Sequence, residues 1–455
     1  MQYCIETTGG TIQGYKEGDF YCFKGIPYGK AKRFEKAEPY SWDGVLDCTA
    51  FGNRAMQMEK GGIAEGCDED CLNLNVYARD VHGHLPVLVE IHGGAFQTGS
   101  NREHGPEQMM QDRNFVYVSI NYRLGIFGYL YLGEAFPTSG NNGYLDQLLA
   151  LRWVKDNIAS FGGDPDNITV MGASAGAKSI AALMLQKESA TLFSKAILSS
   201  GAYQCIRDMG TAEKVAKQYF EVLGTDDIAE LKRMDAEKLL LAQDALCSSF
   251  ASTCMFGPVA DGTVIPADYL DILHAGDFWK GKAIVGSCLH ELGFYPMMDK
   301  DFVKHAEDIA DGLFGKNASI AIHDVHELHE YSLEEAWVKV LSDYMYRTYS
   351  VRMSYILSAN GSEVYHYSFV HSPALHCMDQ SFAFGKERNE SLGNTIFCAY
   401  TNFIISGDPN GDGVPQWNVY DVKKHNHMVW DEETHETCVS AMDVLQHFPE
   451  QVYKL

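Results

Sequence analysis

The pentapeptide Gly172-Ala173-Ser174-Ala175-Gly176 is the strongest local signal in the sequence, because it joins a strand-like segment to a helical one. Residues 168–171 before it are apolar or β-branched, as in a strand buried on both faces. Residues 177–185 after it are Ala-rich and favour a helix. The two glycines let the chain turn sharply and lift the serine hydroxyl above a sheet, which predicts a nucleophile elbow. The alternative is a small-residue turn that only packs a helix on a sheet.

A second strand end carries small residues, 80 residues earlier in the chain. The apolar residues 85–91 lead into His92-Gly93-Gly94-Ala95-Phe96. Small residues there leave backbone N–H groups open toward an oxyanion as it forms on a substrate carbonyl. An elbow serine preceded by such a turn favours acyl-transfer chemistry.

Short apolar runs recur along the chain with helical stretches between them. The runs that we interpret as buried strands are residues 85–91, 115–120, 168–171, 195–198, 282–285 and 363–367. Between two of them, Leu145, Leu148, Leu149, Trp153 and Ile158 repeat at roughly helical spacing. Such alternation predicts an α/β fold, with a mostly parallel central sheet that is flanked by helices.

Two longer segments, at about residues 205–250 and 299–357, are helical in pattern and rich in charge. They are interpreted as helical cap insertions between strands. The sequence shows no Pro- or Ser-rich linker, no repeat and no low-complexity tract. We therefore expect one catalytic domain over residues 1–455.

Charge and cysteine content restrict the partners and the compartment. The 36 Lys and Arg residues against 61 Asp and Glu give a net charge of −25, which repels nucleic acid and anionic membranes. The first residues lack the basic and apolar pattern of a secretory signal, and no run is long enough to span a membrane. The twelve cysteines are scattered, as in a reducing compartment. We expect a cytoplasmic protein, as a monomer or a homodimer.

Many further motifs occur in a fixed order. They are Phe23-Lys24-Gly25-Ile26-Pro27-Tyr28, Glu69-Asp70-Cys71-Leu72-Asn73-Leu74, Asn121-Tyr122-Arg123-Leu124-Gly125, Phe161-Gly162-Gly163-Asp164-Pro165 and Gly407-Asp408-Pro409-Asn410. With the two strand-end motifs, they make the chain resemble the type-B carboxylesterases. That family shares its fold with the cholinesterases and with bacterial p-nitrobenzyl esterases. The resemblance implies an α/β-hydrolase fold.

The resemblance also implies a catalytic triad. Ser174 matches the nucleophile of the family, and Glu291 matches the acid within Gly286-Ser287-Cys288-Leu289-His290-Glu291-Leu292-Gly293, where His290 replaces the usual Asp. His376 matches the base in Ala374-Leu375-His376-Cys377-Met378-Asp379. The order nucleophile, acid, base is the one expected of an α/β hydrolase. By the same resemblance, the N–H groups of Gly94, Ala95 and Ala175 form the oxyanion hole.

These motifs predict a serine carboxylesterase that hydrolyses neutral carboxylic esters through an acyl-enzyme on Ser174. Ala173 stands where most family members have Glu, which disfavours cationic choline esters. Two alternatives are open: an adhesion protein that binds partners without catalysis, and a lipase that acts at an oil interface.

We expect neither a metal nor a cofactor, although two features suggest metal binding. Asp408-Pro409-Asn410-Gly411-Asp412-Gly413 begins like a calcium loop but has Val419 at the twelfth position, where a bidentate Glu belongs. His323, His326 and His329 lack the i, i+4 spacing of a helical zinc site. The expected partners are small-molecule esters alone.

Overall fold

The computed structural model describes residues 2–248, 255–438, 445 and 447–451. Within these ranges, thirteen strands form the central sheet. In chain order they are β1 Gln2–Thr7, β2 Gly10–Glu17, β3 Phe20–Pro27, β4 Val45–Asp47, β5 Asn73–Ala78, β6 Leu85–Ile91, β7 Val116–Ile120, β8 Gly163–Ala173, β9 Lys195–Ser199, β10 Lys282–Cys288, β11 Glu363–Phe369, β12 His427–Trp430 and β13 His435–Thr437.

The strands are arranged in the order β1-β2-β3-β5-β7-β6-β8-β9-β10-β11-β12-β13, and β4 pairs with β2. Every neighbouring pair from β7 to β12 is parallel. The strands β1, β2, β3 and β5 pair in antiparallel fashion at one end of the sheet, and β13 does so at the other. The mostly parallel sheet expected from the apolar runs is confirmed.

Helices connect and cover these strands. They are α1 Pro106–Met109, α2 Gly125–Tyr129, α3 Asn142–Asn157, α4 Ala175–Leu183, α5 Ser189–Leu192, α6 Met209–Leu223, α7 Ile228–Leu231, α8 Ala236–Leu246, α9 Tyr269–Ala275, α10 Tyr295–Met298, α11 Phe302–Phe314, α12 Ala318–Glu327, α13 Leu333–Ser342, α14 Thr348–Ala359, α15 Asp379–Ala383 and α16 Ser391–Ser406. A π-helical turn, Asp343–Arg347, joins α13 to α14.

Successive residues of the central strands pack into two separate apolar clusters. In β6, Val89 belongs to the apolar cluster that includes residues of α3, α4 and α14, whereas Leu88 belongs to the other cluster, which includes residues of α16. The same alternation separates Val170 from Met171 in β8. Because the parallel strands are covered on both faces, they contain almost continuous apolar runs, and this explains why they were recognisable in the sequence.

The parallel strands also determine where a site can form. The carboxyl ends of β6, β8, β10 and β11 lie at one edge of the sheet, where open α/β sheets bind their ligands. The helices α6 to α8 and α11 to α14 come from the two segments that the charge pattern predicted to be helical insertions, and α10 lies just before the second of them. Within the described ranges, no helix is both long and apolar enough to cross a bilayer.

Candidate active site

Ser174 lies in the turn between β8 and α4, with φ 53° and ψ −120°. A side chain at Gly172 would place its Cβ 2.5 Å from the carbonyl carbon of Gly176, and one at Gly176 would lie 2.0 Å from the carbonyl oxygen of Ile91. Both glycines are therefore required by close packing. The Ser174 N–H donates to the carbonyl of Ser199 at 2.9 Å. A non-glycine residue with this φ is strained, and such strain is concentrated at functional sites.

The structure brings the three sequence-predicted side chains of the triad together. Nε2 of His376 is 2.9 Å from Oγ of Ser174. Nδ1 of the same ring is hydrogen-bonded to Oε2 of Glu291. Glu291 is fully buried, whereas the side chain of His376 is 18% exposed and borders a cavity. The geometry is that of a nucleophile, a base and an acid in series.

Backbone contacts hold Glu291 and His376 in register. The loops that follow β10 and β11 are joined at a β-bridge between His290 and Leu375, where the His290 N–H donates to the carbonyl of Ala374 at 2.9 Å. Glu291 and His376 are the next residues along each loop. The Cys288 N–H also donates to Oε1 of Glu291 at 2.7 Å, so that both carboxylate oxygens are engaged. His290 therefore takes part through its backbone in aligning the pair.

The turn after β6 places Gly94 and Ala95 at the wall of the same cavity. The carbonyl of Gly94 accepts the N–H groups of Gln97 and Thr98, each at 2.9 Å, which closes the turn. Gly94 and Ala95 have φ values of 103° and 55°. Within the described part of the chain, neither of their N–H groups donates to a protein acceptor. Ala175 is the first residue of α4, where an N–H has no partner inside the helix.

The cavity beside Ser174 has a volume of about 1310 Å³. Its lining includes residues that the motifs did not identify, among them Lys178, Phe294, Met298, Ile309 and Tyr346. All of these except Lys178 lie on the inserted helices or their connections, where no motif marks them. Lys178 is four residues after Ser174, so helical spacing alone places it on the cavity side.

Two aromatic rings flank the imidazole of His376. The ring centre of Tyr346 lies 4.7 Å from that of His376, and the ring centre of Phe294 lies 6.3 Å from it. Tyr346 belongs to the π-helical turn, and Phe294 precedes α10. Single π-helical turns within helices often occur at functional sites. The inserted helices therefore contact the histidine ring directly.

Two groups near the site have raised pKa values, which disfavours their charged forms. Burial raises the pKa of Asp379, although the Tyr367 hydroxyl donates to its carboxyl group and opposes the shift. Burial likewise raises the pKa of the Cys377 thiol, beside His376, well above its usual value. A thiol nucleophile requires the opposite shift, so Cys377 is a poor competitor to Ser174.

The mouth of the cavity carries charges that are partly balanced. Nδ1 of His305 lies 2.7 Å from Oδ2 of Asp299, and this hydrogen bond raises the pKa of the imidazole. Glu103 accepts the N–H of Ser100 at 3.0 Å, and Asp308 also lines the wall. Acidic groups therefore lie at the rim of the cavity, whereas Lys178 lies within its wall.

Comparisons with known proteins show the family of the chain and its α/β-hydrolase fold. The model of the carboxylesterase family matches residues 2–445. The para-nitrobenzyl esterase of Bacillus subtilis is 31% identical over 94% of this chain and 95% of its own length. The phenmedipham hydrolase of Pseudarthrobacter oxydans is 31% identical over 91% of this chain and 92% of its own length.

Among solved structures, the chain is similar to a carboxylesterase of Geobacillus stearothermophilus crystallised at pH 6.2. The TM-score is 0.89 at 30% sequence identity, and the match covers 98% of this chain and 100% of the other. Sequence and structure comparisons thus extend over nearly the whole chain. The resemblance drawn from the ordered motifs is confirmed.

Proposed function

The chain belongs to the carboxylesterase family and is a carboxylic ester hydrolase, and from this premise we propose that it hydrolyses neutral esters through an acyl-enzyme on Ser174. The observation that supports the proposal most strongly is the continuous series of hydrogen bonds from Ser174 through His376 to Glu291. Intact contacts of this kind disfavour the alternative of a protein that only binds partners.

In the first step, Oγ of Ser174 attacks the ester carbonyl while its proton passes to Nε2 of His376. The 2.9 Å separation is within hydrogen-bonding reach, as a general base requires. The C–O bond to the alcohol then breaks, and His376 gives the proton to the leaving oxygen. The products of this step are a free alcohol and an ester of Ser174.

Glu291 acts on the imidazole and not on the substrate. Its hydrogen bond to Nδ1 fixes the tautomer that leaves Nε2 free to accept a proton. It also stabilises the imidazolium that forms during attack. Because the Cys288 N–H holds its other oxygen, the carboxylate cannot rotate away without losing a hydrogen bond.

The negative charge that develops on the carbonyl oxygen needs donors that are already in place. Gly94 and Ala95 supply N–H groups at the cavity wall, and Ala175 supplies one at the start of α4. Oriented donors in a site shielded from water contribute strongly to lowering the barrier. Water then attacks the acyl-enzyme with His376 again as the base, which releases the acid and restores Ser174.

The role within the cell is also part of the proposal. Residues 1–455 would form one catalytic domain with inserted helices, acting in the cytoplasm on small-molecule esters. The net charge of −25 supports the absence of nucleic acid and anionic membranes among its partners.

The test of this function is the hydrolysis of 4-nitrophenyl esters from acetate to decanoate by the protein and by Ser174→Ala. We expect kcat to fall at least ~10⁴-fold in the variant. Intact-mass spectrometry during turnover of a slow ester should show an acyl group on the protein that is absent from Ser174→Ala. A folded wild-type protein without activity on any of these esters would overturn the proposal.

A further inference from the structure

Lys178 is a buried cation in the wall of the catalytic cavity, and neither the mechanism nor the motifs use it. It lies in the first turn of α4, four residues after Ser174, and is only 5% exposed. We propose that Lys178 is a specificity-determining residue, and that the site favours esters that bear a carboxylate near the scissile bond. The inference rests on the proposed function, because it names a substrate class for the same site.

The amine of Lys178 lies close to the imidazole of His376, on the other side of one aromatic ring. Nζ of Lys178 lies 4.9 Å from the ring centre of Tyr346, and the same ring lies 4.7 Å from that of His376. The ammonium group is therefore separated by a single aromatic ring from the histidine that handles the leaving group. Ser174, Lys178 and Tyr346 all line the same cavity.

An ammonium group in this wall attracts a substrate carboxylate. Where water is excluded, a carboxylate and an ammonium group form a charge-assisted hydrogen bond, which is stronger than a hydrogen bond between neutral groups. The amino end of α4 adds partial positive charge at the same place. Ala173 beside the serine contributes no charge, and the nearby carboxylate of Glu291 is already engaged by His376 and Cys288. The amine of Lys178 therefore gives this wall a group that can bind a substrate carboxylate.

The rim and the whole chain oppose this preference at long range. Asp299 is paired with His305, but Glu103 and Asp308 also lie at the wall, and the chain carries a net charge of −25. Such a field slows the approach of every anionic ester. A substitution at residue 178 leaves this long-range field nearly unchanged. The informative quantity is therefore kcat/KM for an anionic ester divided by kcat/KM for a matched neutral ester, compared between variants.

The experiment uses two matched substrate pairs, because the carboxylate can lie on either side of the ester. On the acyl side, mono-4-nitrophenyl adipate is compared with 4-nitrophenyl hexanoate, which has a methyl group in place of the carboxylate. On the alcohol side, 4-carboxyphenyl hexanoate is compared with 4-carbamoylphenyl hexanoate. The ratio of kcat/KM for the anionic to the neutral ester is measured in about 0.15 M salt, close to physiological ionic strength, for the wild type, Lys178→Met and Lys178→Arg.

We expect Lys178→Met to lower this ratio by about 10- to 100-fold in at least one pair, which also identifies the side that bears the carboxylate. Lys178→Arg, which keeps the charge, should retain most of the preference. Lys178→Gln provides the same readout if the Met variant does not fold.

Ratios in Lys178→Met that stay within twofold of the wild type for both pairs would overturn the inference and leave the proposed function intact. In contrast, a folded wild type that cleaves neither hexanoate ester would overturn the proposed function itself. The two failures are therefore distinguishable from the same data set.

Discussion

The carboxyl edge of the sheet and the inserted helices build the same cavity by different means. At the edge, Ser174 and the loop of Gly94 sit on strands that are buried on both faces, and their backbones are fixed by hydrogen bonds and close glycine packing. The helices α10 to α14 contribute side chains instead, including Met298, which is 71% exposed. One region is held by its main chain, and the other is held by side-chain packing.

The two regions are therefore expected to control different properties of the reaction. The reacting atoms need positions accurate to a fraction of an ångström, and a rigid sheet edge supplies them. The shape of the cavity tolerates more variation, because inserted helices can differ without moving the edge. Changes at the edge should therefore affect kcat, whereas changes in the insertions should affect which esters are chosen.

The largest difference between the regions is expected for carboxyl-to-amide changes. Glu291→Gln keeps the size of the side chain but removes the charge that stabilises the imidazolium and sets its tautomer, so kcat should fall about 10³- to 10⁴-fold. Asp308→Asn, in the cavity wall on α11, makes the same chemical change away from the histidine. Steady-state kinetics with 4-nitrophenyl hexanoate measure both variants.

The control should retain kcat within a few fold, since Asp308 lies outside the Ser174–His376–Glu291 hydrogen bonds. Comparable losses in the two variants would contradict the division between edge and insertions. Circular dichroism on both proteins separates loss of catalysis from loss of folding.

A smaller effect is expected from the turn at Gly94. A Cβ at this position would lie 2.2 Å from the carbonyl oxygen of Thr98, and the φ of 103° is itself unfavourable for alanine. Gly94→Ala must therefore displace the turn and its N–H groups, and kcat should fall about 10²- to 10³-fold, as when one oxyanion donor is lost.

Gly44→Ala is the matched control. Gly44 also has a positive φ, 79°, but a Cβ added there would meet no atom within 4 Å, so only backbone strain is added. This variant should lose stability without losing kcat. Equal kcat values for Gly94→Ala and the wild type would argue against a role for this turn in stabilising the oxyanion.

The sheet edge was predictable from the sequence because its constraints are local. Two glycines around Ser174 and a Gly-Gly pair after a strand are visible without knowing the fold, and the buried strands are short apolar runs. The ordered motifs then identified Glu291 and His376, which no local rule would connect across 85 residues. The structure places both within hydrogen-bonding reach of their partners.

The insertions were predictable only as helices. Their amphipathic pattern shows which residues are buried but not which neighbour they contact, so the packing of Tyr346 and Phe294 against His376 had no sequence signal. The antiparallel strands β1 to β3 were also missed, because they have weaker apolar character than the central runs. Lys178 was missed as well, although its position four residues after Ser174 is a signal that could have located it.

The smallest effect is expected from a comparison of two histidine–carboxylate pairs, one in each region. Their nitrogen–oxygen distances are nearly equal. Nδ1 of His104 is 2.6 Å from Glu90 of β6, and their side chains are 11% and 7% exposed. Nδ1 of His305 is 2.7 Å from Asp299, with exposures of 55% and 25%. His104→Gln should lower the free energy of unfolding by about 2 kcal/mol at about pH 5.5, whereas His305→Gln should cause no measurable change, because water screens an exposed pair.

The pH dependence of this loss tests the buried pair itself. Burial acts to lower the pKa of His104, but the charge and hydrogen bond of Glu90 outweigh it and raise this pKa above 6.5, so the stabilisation is lost as the pH rises through the raised value. Burial acts to raise the pKa of Glu90, but His104 lowers it below 4.5, so its contribution is lost only in more acidic solution. The pair is therefore strongest between pH 4.5 and 6.5.

Urea unfolding measures this dependence. The loss of unfolding free energy in His104→Gln, relative to the wild type, should be smaller at about pH 8.5 than at about pH 5.5. A loss that is independent of pH would mean that only the stacking of His104 on Phe384 was lost.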